Sequence, residues 1–417
     1  MHRLVEALYD QAKGVWEERF EDRHGFWRGF VDDVVNAYLD CGRFESGFAR
    51  VRCSDCGDEF LVATSCQMRG FCPSCGAKRA AAFAAFLVDE VLEQVGHAMW
   101  TFSLPKIIRP YFIHHAELRG RLCRAAFETV QEMMAAAAIG CEGFRIGMVA
   151  VTTTAGDLLN VNPHVHAIVP RGGWASDGAW APVPYIDNDV AERLFRAKVL
   201  AFLQGEGLLS DERARILLSW NHNSGFSIDD SVRVEPEDGQ AMERMARYML
   251  RPPLSLARMK YPDGADEVVY ARKTSNGQPG SEERFDALDF LARVIAHIPA
   301  PRIHLIRYLG HYSNASRGRR KNGKEEPLTP GNPRDQEDDG FTDAERLARR
   351  RAWARLIRRV FEVDPMVCAS CGGRMQIVSV ILEHKVITKI LGHLARKGIK
   401  PGRGPPKQPG NPSPEPA

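Results

Sequence analysis

No stretch of this 417-residue sequence is apolar for long enough to cross a bilayer; the longest run, Ala80 to Val88, is about half of what a spanning helix needs. An apolar leader is also missing, because Met1-His-Arg-Leu-Val-Glu6 carries charge where a secretory signal is greasy. Together these absences predict an intracellular, cytoplasmic protein with no membrane partner. Nor is there a marked excess of either charge: 56 Lys plus Arg against 53 Asp plus Glu leave +3, which by itself argues nothing about nucleic acid. Basic residues are nevertheless concentrated. Arg302 to Lys324 holds seven Lys or Arg and no Asp or Glu, and Thr342 to Phe361 holds seven Arg against Asp343 and Glu345. Either stretch suits phosphate, and either suits a solvated face.

What the chain does have is cysteine in clusters. Six of the ten lie between Cys41 and Cys75, two form Cys368-Ala-Ser-Cys371, and Cys123 and Cys141 stand alone. Thiols stay reduced inside cells, so Cys-x-x-Cys pairs point to zinc rather than to disulfides. Cys53-Ser-Asp-Cys56 and Cys72-Pro-Ser-Cys75 are two knuckles with fifteen residues between them, and together they predict one closed four-thiolate site holding structural Zn2+. Cys41 and Cys66 read as buried thiols, with replacement of a knuckle ligand or a share in a second site as the alternatives. Cys368 and Cys371 read as a reduced pair packed under a helix, or as half of a second metal site completed by His384, His393 or another subunit.

The pattern of strands and helices predicts an α+β chain: an N-terminal zinc ribbon with helices, a palm of antiparallel sheet backed by helices, and a small helical C-terminal region. With 44% hydrophobic and 26% charged residues there is material for two or three domains. The boundaries expected are 1–96 for helix plus zinc-binding domain, 97–313 for the palm, 314–341 for a linker, 342–397 for a helical Cys-x-x-Cys region and 398–417 for a disordered tail. Within the palm, Ala98 to Leu104 reads as a strand, Pro110 to Ala138 as one long helix, and Arg145 to Thr154 as a strand that pairs with the next as a hairpin. A helix over Asp189 to Leu203, weaker strands near Ile216 to Trp220 and Val232 to Val234, a strand over Glu267 to Lys273 and a helix over Phe285 to Ala296 complete it. Thr342-Asp-Ala-Glu345 reads as a capping box opening a helix with Trp353, Leu356, Ile357, Val360 and Phe361 on its apolar side.

The second strand of that hairpin contains Asn160-Val-Asn-Pro-His-Val-His-Ala-Ile-Val-Pro170. Side chains alternate along a strand, so His164 and His166 point the same way and form a pair able to hold one divalent cation. A polar sheet surface gives the same spacing by accident. Tyr248 sits on a helix expected to begin near Glu235 and to stop before Pro252-Pro253. A metal and a tyrosine hydroxyl are the minimum apparatus for cutting a phosphodiester through a phosphotyrosine.

Several phrases in order carry a resemblance: Val51-Arg-Cys-Ser-Asp-Cys56, Arg69-Gly-Phe-Cys-Pro-Ser-Cys75, Asn162-Pro-His-Val-His-Ala-Ile-Val169, Met245-Ala-Arg-Tyr-Met-Leu-Arg-Pro-Pro253 and Arg307-Tyr-Leu-Gly-His311. From about Cys41 to Met375 the chain resembles the rolling-circle transposases of bacterial insertion sequences, in which a zinc-binding domain precedes an HUH catalytic domain. The resemblance implies a metal-dependent single-strand DNA endonuclease and strand transferase. In it His164 and His166 hold Mg2+ or Mn2+, and Tyr248 is the nucleophile that leaves a 5′-phosphotyrosine and a free 3′-hydroxyl. The implied partners are single-stranded DNA at element termini and target DNA, with Arg251, Arg307, Arg317, Arg319, Arg320 and Lys321 as candidate contacts. Many relatives carry two tyrosines four residues apart, whereas Arg244 and Pro252 occupy those positions here. Thr153 stands where relatives place Gln or His, so Asp157 and Asn162 are the candidates for a third ligand. Two rival readings remain at this stage: an HUH replication initiator or relaxase, which shares the chemistry, and a catalytically inactive zinc-ribbon nucleic-acid-binding protein.

Overall fold

The computed structural model describes residues 1–220, 224–262, 264–273, 279–321 and 367–398. The expected helix after Thr342 and the tail from Pro401 fall outside these residues. In chain order the principal elements are α1 (His2–Gly14), α2 (Phe30–Leu39), β1 (Phe48–Cys53), β2 (Glu59–Ala63), α3 (Pro73–Phe86), β3 (His97–Ser103), α4 (Leu118–Ala137), β4 (Gly147–Ala155), β5 (Val161–Pro170), β6 (Gly172–Trp174), β7 (Trp180–Pro182), α5 (Asn188–Gly205), β8 (Ser227–Val234), α6 (Gly239–Met249), β9 (Met259–Lys260), β10 (Glu267–Lys273), β11 (Pro279–Asp286), α7 (Ala287–Ala296), β12 (Ile306–Gly310), α8 (Asn314–Lys321), β13 (Met375–Ile381) and α9 (His384–Arg396). The chain is α+β.

The central element is a five-stranded antiparallel sheet in the order β12-β4-β5-β3-β8. Its middle strands are apolar on both faces, so both must be covered. Ala98, Trp100 and Phe102 of β3 with Val165, Ala167 and Val169 of β5 face α4 and α5, whose Leu122, Ala126, Val130, Phe195 and Val199 close that side. Met99, Val149, Val151 and Ile168 face the other way, onto Phe83 and Ala84 of α3 and Met242, Met245 and Met249 of α6. The site is built on this second face.

Two smaller units flank the sheet. Helices α1 and α2 pack through Leu4, Val5, Val31 and Val35 on α7 and on Val268 and Tyr270 of β10, and Arg28 donates to the carbonyls of Ile295 and Ile298. A second sheet has the order β13-β1-β2, so a strand near the C-terminus extends the N-terminal hairpin.

Several elements differ from their expected form. The expected strand near Ile216 is the end of a helix, Asp211–Leu218, because the Ser210 hydroxyl accepts from Arg213 N and caps it. Pro110 to Ala138 divides into Arg109–His114 and Leu118–Ala137. The helix carrying Tyr248 begins at Gly239, where Asp238 accepts from Ala241 N, and not at Glu235. Residues expected to open the linker form α8, and the expected helical C-terminal region includes β13. Among the described residues no helix is long and apolar enough to cross a membrane.

Burial ranks the sheet side chains. Phe102 is 0% exposed while Ile139, at the end of α4, is 93% exposed. Phe102→Ala is expected to lower unfolding free energy by about 3–5 kcal/mol, and Ile139→Ala by about 0.5 kcal/mol or less, as measured by urea denaturation of the two variants.

Candidate active site and cysteine centres

Register places the histidines. His166 pairs with Thr101 of β3 and Val151 of β4, and His164 with Ser103 and Thr153, so all six side chains share the face under α6. His164 Nδ1 donates to the carbonyl of Asn162 (2.6 Å), which leaves the lone pair on Nε2. His166 Nδ1 lies 3.1 Å from Thr101 Oγ1. Both Nε2 atoms therefore converge, 3.1 Å apart, close to the roughly 3.0 Å separating two ligands at right angles on an ion held at about 2.1 Å. Burial pushes both imidazoles below their ordinary pKa, His166 to about 3, with the neighbouring His164, Arg251 and Lys273 adding to it. Neutral imidazole is the metal-binding form.

The two proposed third ligands are placed differently. Asn162 lies two residues before His164 on the same strand, and its Oδ1 is buried without a hydrogen-bond partner among the described residues. An orphaned oxygen of this kind is what a cation would satisfy. Asp157 is already committed: Arg258 Nη1 donates to its Oδ1 at 2.7 Å and Lys273 N donates to both carboxylate oxygens at 3.1–3.2 Å. Among the described residues, no carboxylate, imidazole or thiol forms a close three-ligand group with the His pair.

Helix α6 carries Tyr248 over this face. Met242, Met245 and Met249 anchor the helix in the core, which turns Tyr248 toward the histidines. Its ring lies 5.3 Å from that of His166, edge to face at 75°, and is 36% exposed. Arg251 covers the ring, with Cζ 3.9 Å from its centroid. Beyond Arg251, Pro252 abuts Gly76 of α3 so closely that a Cβ there would stand 2.6 Å from Pro252 Cγ. Three residues overlooked in the sequence complete the surroundings. Thr101 orients His166. Arg258 bridges Asp157, the Ala271 carbonyl and the Tyr270 hydroxyl. Lys273 is pushed down to about 8 by desolvation, then by Arg251 and Arg258, with Asp157 opposing. No local motif marks them, since strand register and a distant sheet bring them here.

The other basic candidates are dispersed. Arg307 pairs with Ala150, on the face opposite the histidines, and its guanidinium rests against Gly120 of α4. Arg317 is spent on the Tyr312 carbonyl, Asn314 and the rings of Phe86 and Tyr308. Arg320 donates to the His311 carbonyl and Ser316 and pairs with Glu93. Arg319 and Lys321 lie at the end of α8. Of the six, the structure brings Arg251 to the tyrosine.

The cysteines form two groups, and neither matches the expected one. Cys41, Cys66, Cys72 and Cys75 gather at the start of α3, while Cys53 and Cys56 gather with Cys368 and Cys371. In the first group Sγ separations are 3.6–3.7 Å, near the roughly 3.8 Å edge of a tetrahedron around zinc with bonds of about 2.3 Å. The expected site joining Cys53 and Cys56 to Cys72 and Cys75 is thus corrected. The reason is local: Pro73 starts α3, which fixes Cys72 and Cys75 on its first turn, whereas Cys53 and Cys56 sit at the far end of the β1–β2 hairpin.

Comparison with known proteins bears on both parts of the chain. Residues 13–104 match the family described as "Transposase zinc-binding domain", and residues 147–320 match that described as "Putative transposase". The chain is 24% identical over 386 residues, covering 89% of it and 88% of the relative, to the "Transposase for insertion sequence element IS801" of Pseudomonas savastanoi pv. phaseolicola. It is 29% identical over 286 residues, covering 64% of it and 70% of the relative, to the "Putative transposase y4qJ" of Sinorhizobium fredii (strain NBRC 101917 / NGR234). No solved structure gives a significant match. The first matched segment contains the Cys41 group, and the second contains His164, His166 and Tyr248. The chain thus carries a transposase zinc-binding domain followed by a putative transposase domain.

Proposed function

We propose that this transposase binds, nicks and rejoins single-stranded DNA at the ends of its mobile element by rolling-circle transposition, through a 5′-phosphotyrosine on Tyr248. The observation that carries the reading is the juxtaposition of the Tyr248 ring with His166 above two converging Nε2 atoms. The Tyr248 phenol gives up its proton and its oxygen attacks the phosphorus. The bond from phosphorus to the 3′-oxygen breaks, and that oxygen takes a proton to become a free 3′-hydroxyl. The ester left on Tyr248 keeps the energy of the cut linkage, so an incoming 3′-hydroxyl reverses the step without ATP.

His164, His166 and the Asn162 oxygen are the donors that would hold Mg2+ or Mn2+, and such an ion polarises phosphoryl oxygens. Arg251 holds the tyrosine ring in place and presents a guanidinium to the phosphate beside it. Lys273 adds positive charge within reach of the same site. Because Asp157 is neutralised by Arg258, its carboxylate repels the DNA backbone little. The zinc-binding domain favours transposition over the replication-initiator and relaxase readings, which share the nicking chemistry.

Tyr248→Phe is expected to abolish an SDS-resistant adduct with labelled single-stranded oligonucleotides from the element ends while leaving their binding nearly unchanged; an undiminished adduct refutes the nucleophile. Replacing His164 and His166 together by Ala is expected to remove cation-dependent nicking. Thr101→Val is expected to lower apparent Mn2+ affinity about ten- to a hundredfold by freeing the His166 ring, with nicking recovered at higher Mn2+; an unaltered Mn2+ titration counts against the pair as ligands.

A further inference from the structure

The second cysteine group draws on both ends of the chain. Cys53 and Cys56 lie in the N-terminal hairpin, within the matched zinc-binding segment, whereas Cys368 and Cys371 lie beyond both matched segments. Cys56 and Cys368 are 312 positions apart yet their sulfurs stand 3.6 Å from each other, and Cys53 and Cys371 also stand 3.6 Å apart. These separations are far longer than a disulfide of about 2.05 Å. They approach the tetrahedral edge of about 3.8 Å for four thiolates on zinc.

The two pairs are built alike. In each, the amide of the first cysteine donates to the carbonyl five residues on, Cys53 N to Asp58 O at 2.7 Å and Cys368 N to Gly373 O at 2.8 Å. Each second cysteine precedes a glycine in the left-handed region, Gly57 at φ 78° and Gly372 at φ 74°, where a side chain would be strained. Each loop also turns an amide toward sulfur, Asp55 N to Cys53 Sγ and Gly373 N to Cys371 Sγ, both at 3.4 Å. Cys72 and Cys75 lack this form, being on a helix. Backbone pairing aligns the two knuckles: β1 runs antiparallel to β13 with Cys53 opposite Met375, and Ser54 N donates to the Arg374 carbonyl at 3.0 Å.

We propose that Cys53, Cys56, Cys368 and Cys371 form a second four-thiolate zinc site, which fastens the unit containing β13 and α9 to the N-terminal hairpin. The rest of that junction is the β1–β13 strand pairing and two apolar clusters, Val51, Met375, Phe60 and Val62 around the thiols and one centred on Phe48, Leu61 and Ile387 further along. Four metal–sulfur bonds would close the knuckle end of this junction and cross-link the two ends of the chain. The proposal is independent of the phosphotyrosine chemistry.

Two measurements on the full-length protein test it. Elemental analysis is expected to find two zinc ions per chain, falling to one in Cys368→Ser/Cys371→Ser with the circular dichroism of the central sheet retained. One zinc in the parent protein, or two in the variant, overturns the site. For the fastening, a protease recognition sequence is placed within residues 322–366 and cut. The two fragments are expected to co-elute on a sizing column for the parent and to separate for the double-serine variant; separation of the parent's fragments, or co-elution of the variant's, overturns it. Formation of the Tyr248 adduct, assayed in parallel, reports on the catalytic reading alone.

Discussion

Helix α6 is held between the histidine face of the sheet and α3, and the site exists because of that packing. Three methionines bind the helix to β3, β4 and β5 through dispersion and burial, without directional bonds. Orientation comes from the other side, where Gly76 admits Pro252 into near contact. Gly76 follows Cys75, so a metal on Cys41, Cys66, Cys72 and Cys75 would fix the first turn of α3 and through it the end of α6. The zinc-binding domain is therefore part of the framework that positions Tyr248.

The electrostatics follow one logic. Two neutral imidazoles and an amide oxygen are donors without charge, and Arg251 and Lys273 lie near the imidazoles, with Arg258 beside both cations. Such a site would stay positive with a divalent cation bound, which would suit a polyanionic chain. A carboxylate ligand would reduce that field. The carboxylate of Asp157 is instead used to hold Arg258 and the amide of Lys273, where it ties the β4–β5 turn to β10.

Much of the palm was legible in the sequence because its signals are local. The β4–β5 hairpin follows from two apolar, β-branched runs on either side of the turn at Gly156, and the end of α6 follows from Pro252 and Pro253. The shared face of His164 and His166 is a consequence of strand period alone. Roles that depend on register were not legible: Arg307 lies on the opposite face because it pairs with Ala150, and Thr101 supports His166 because β3 adds beside β5. The short helix after Ser210 read as a strand because Ile216, Leu217 and Leu218 form an apolar run whose cap lies upstream.

The cysteine grouping shows why nearness in sequence misled. Joining Cys56 to Cys72 closes a loop of about 16 residues, and joining Cys56 to Cys368 closes one of 312. Because closure entropy grows only with the logarithm of length, the longer loop costs roughly 2–3 kcal/mol more. That difference is easily offset when β13 pairs along β1 and two like-shaped knuckles meet. The local partners Cys72 and Cys75 are, by contrast, already gathered with Cys41 and Cys66 at the start of α3. Geometry within each knuckle, signalled by Gly57 and Gly372 after the second cysteine, outweighs distance along the chain.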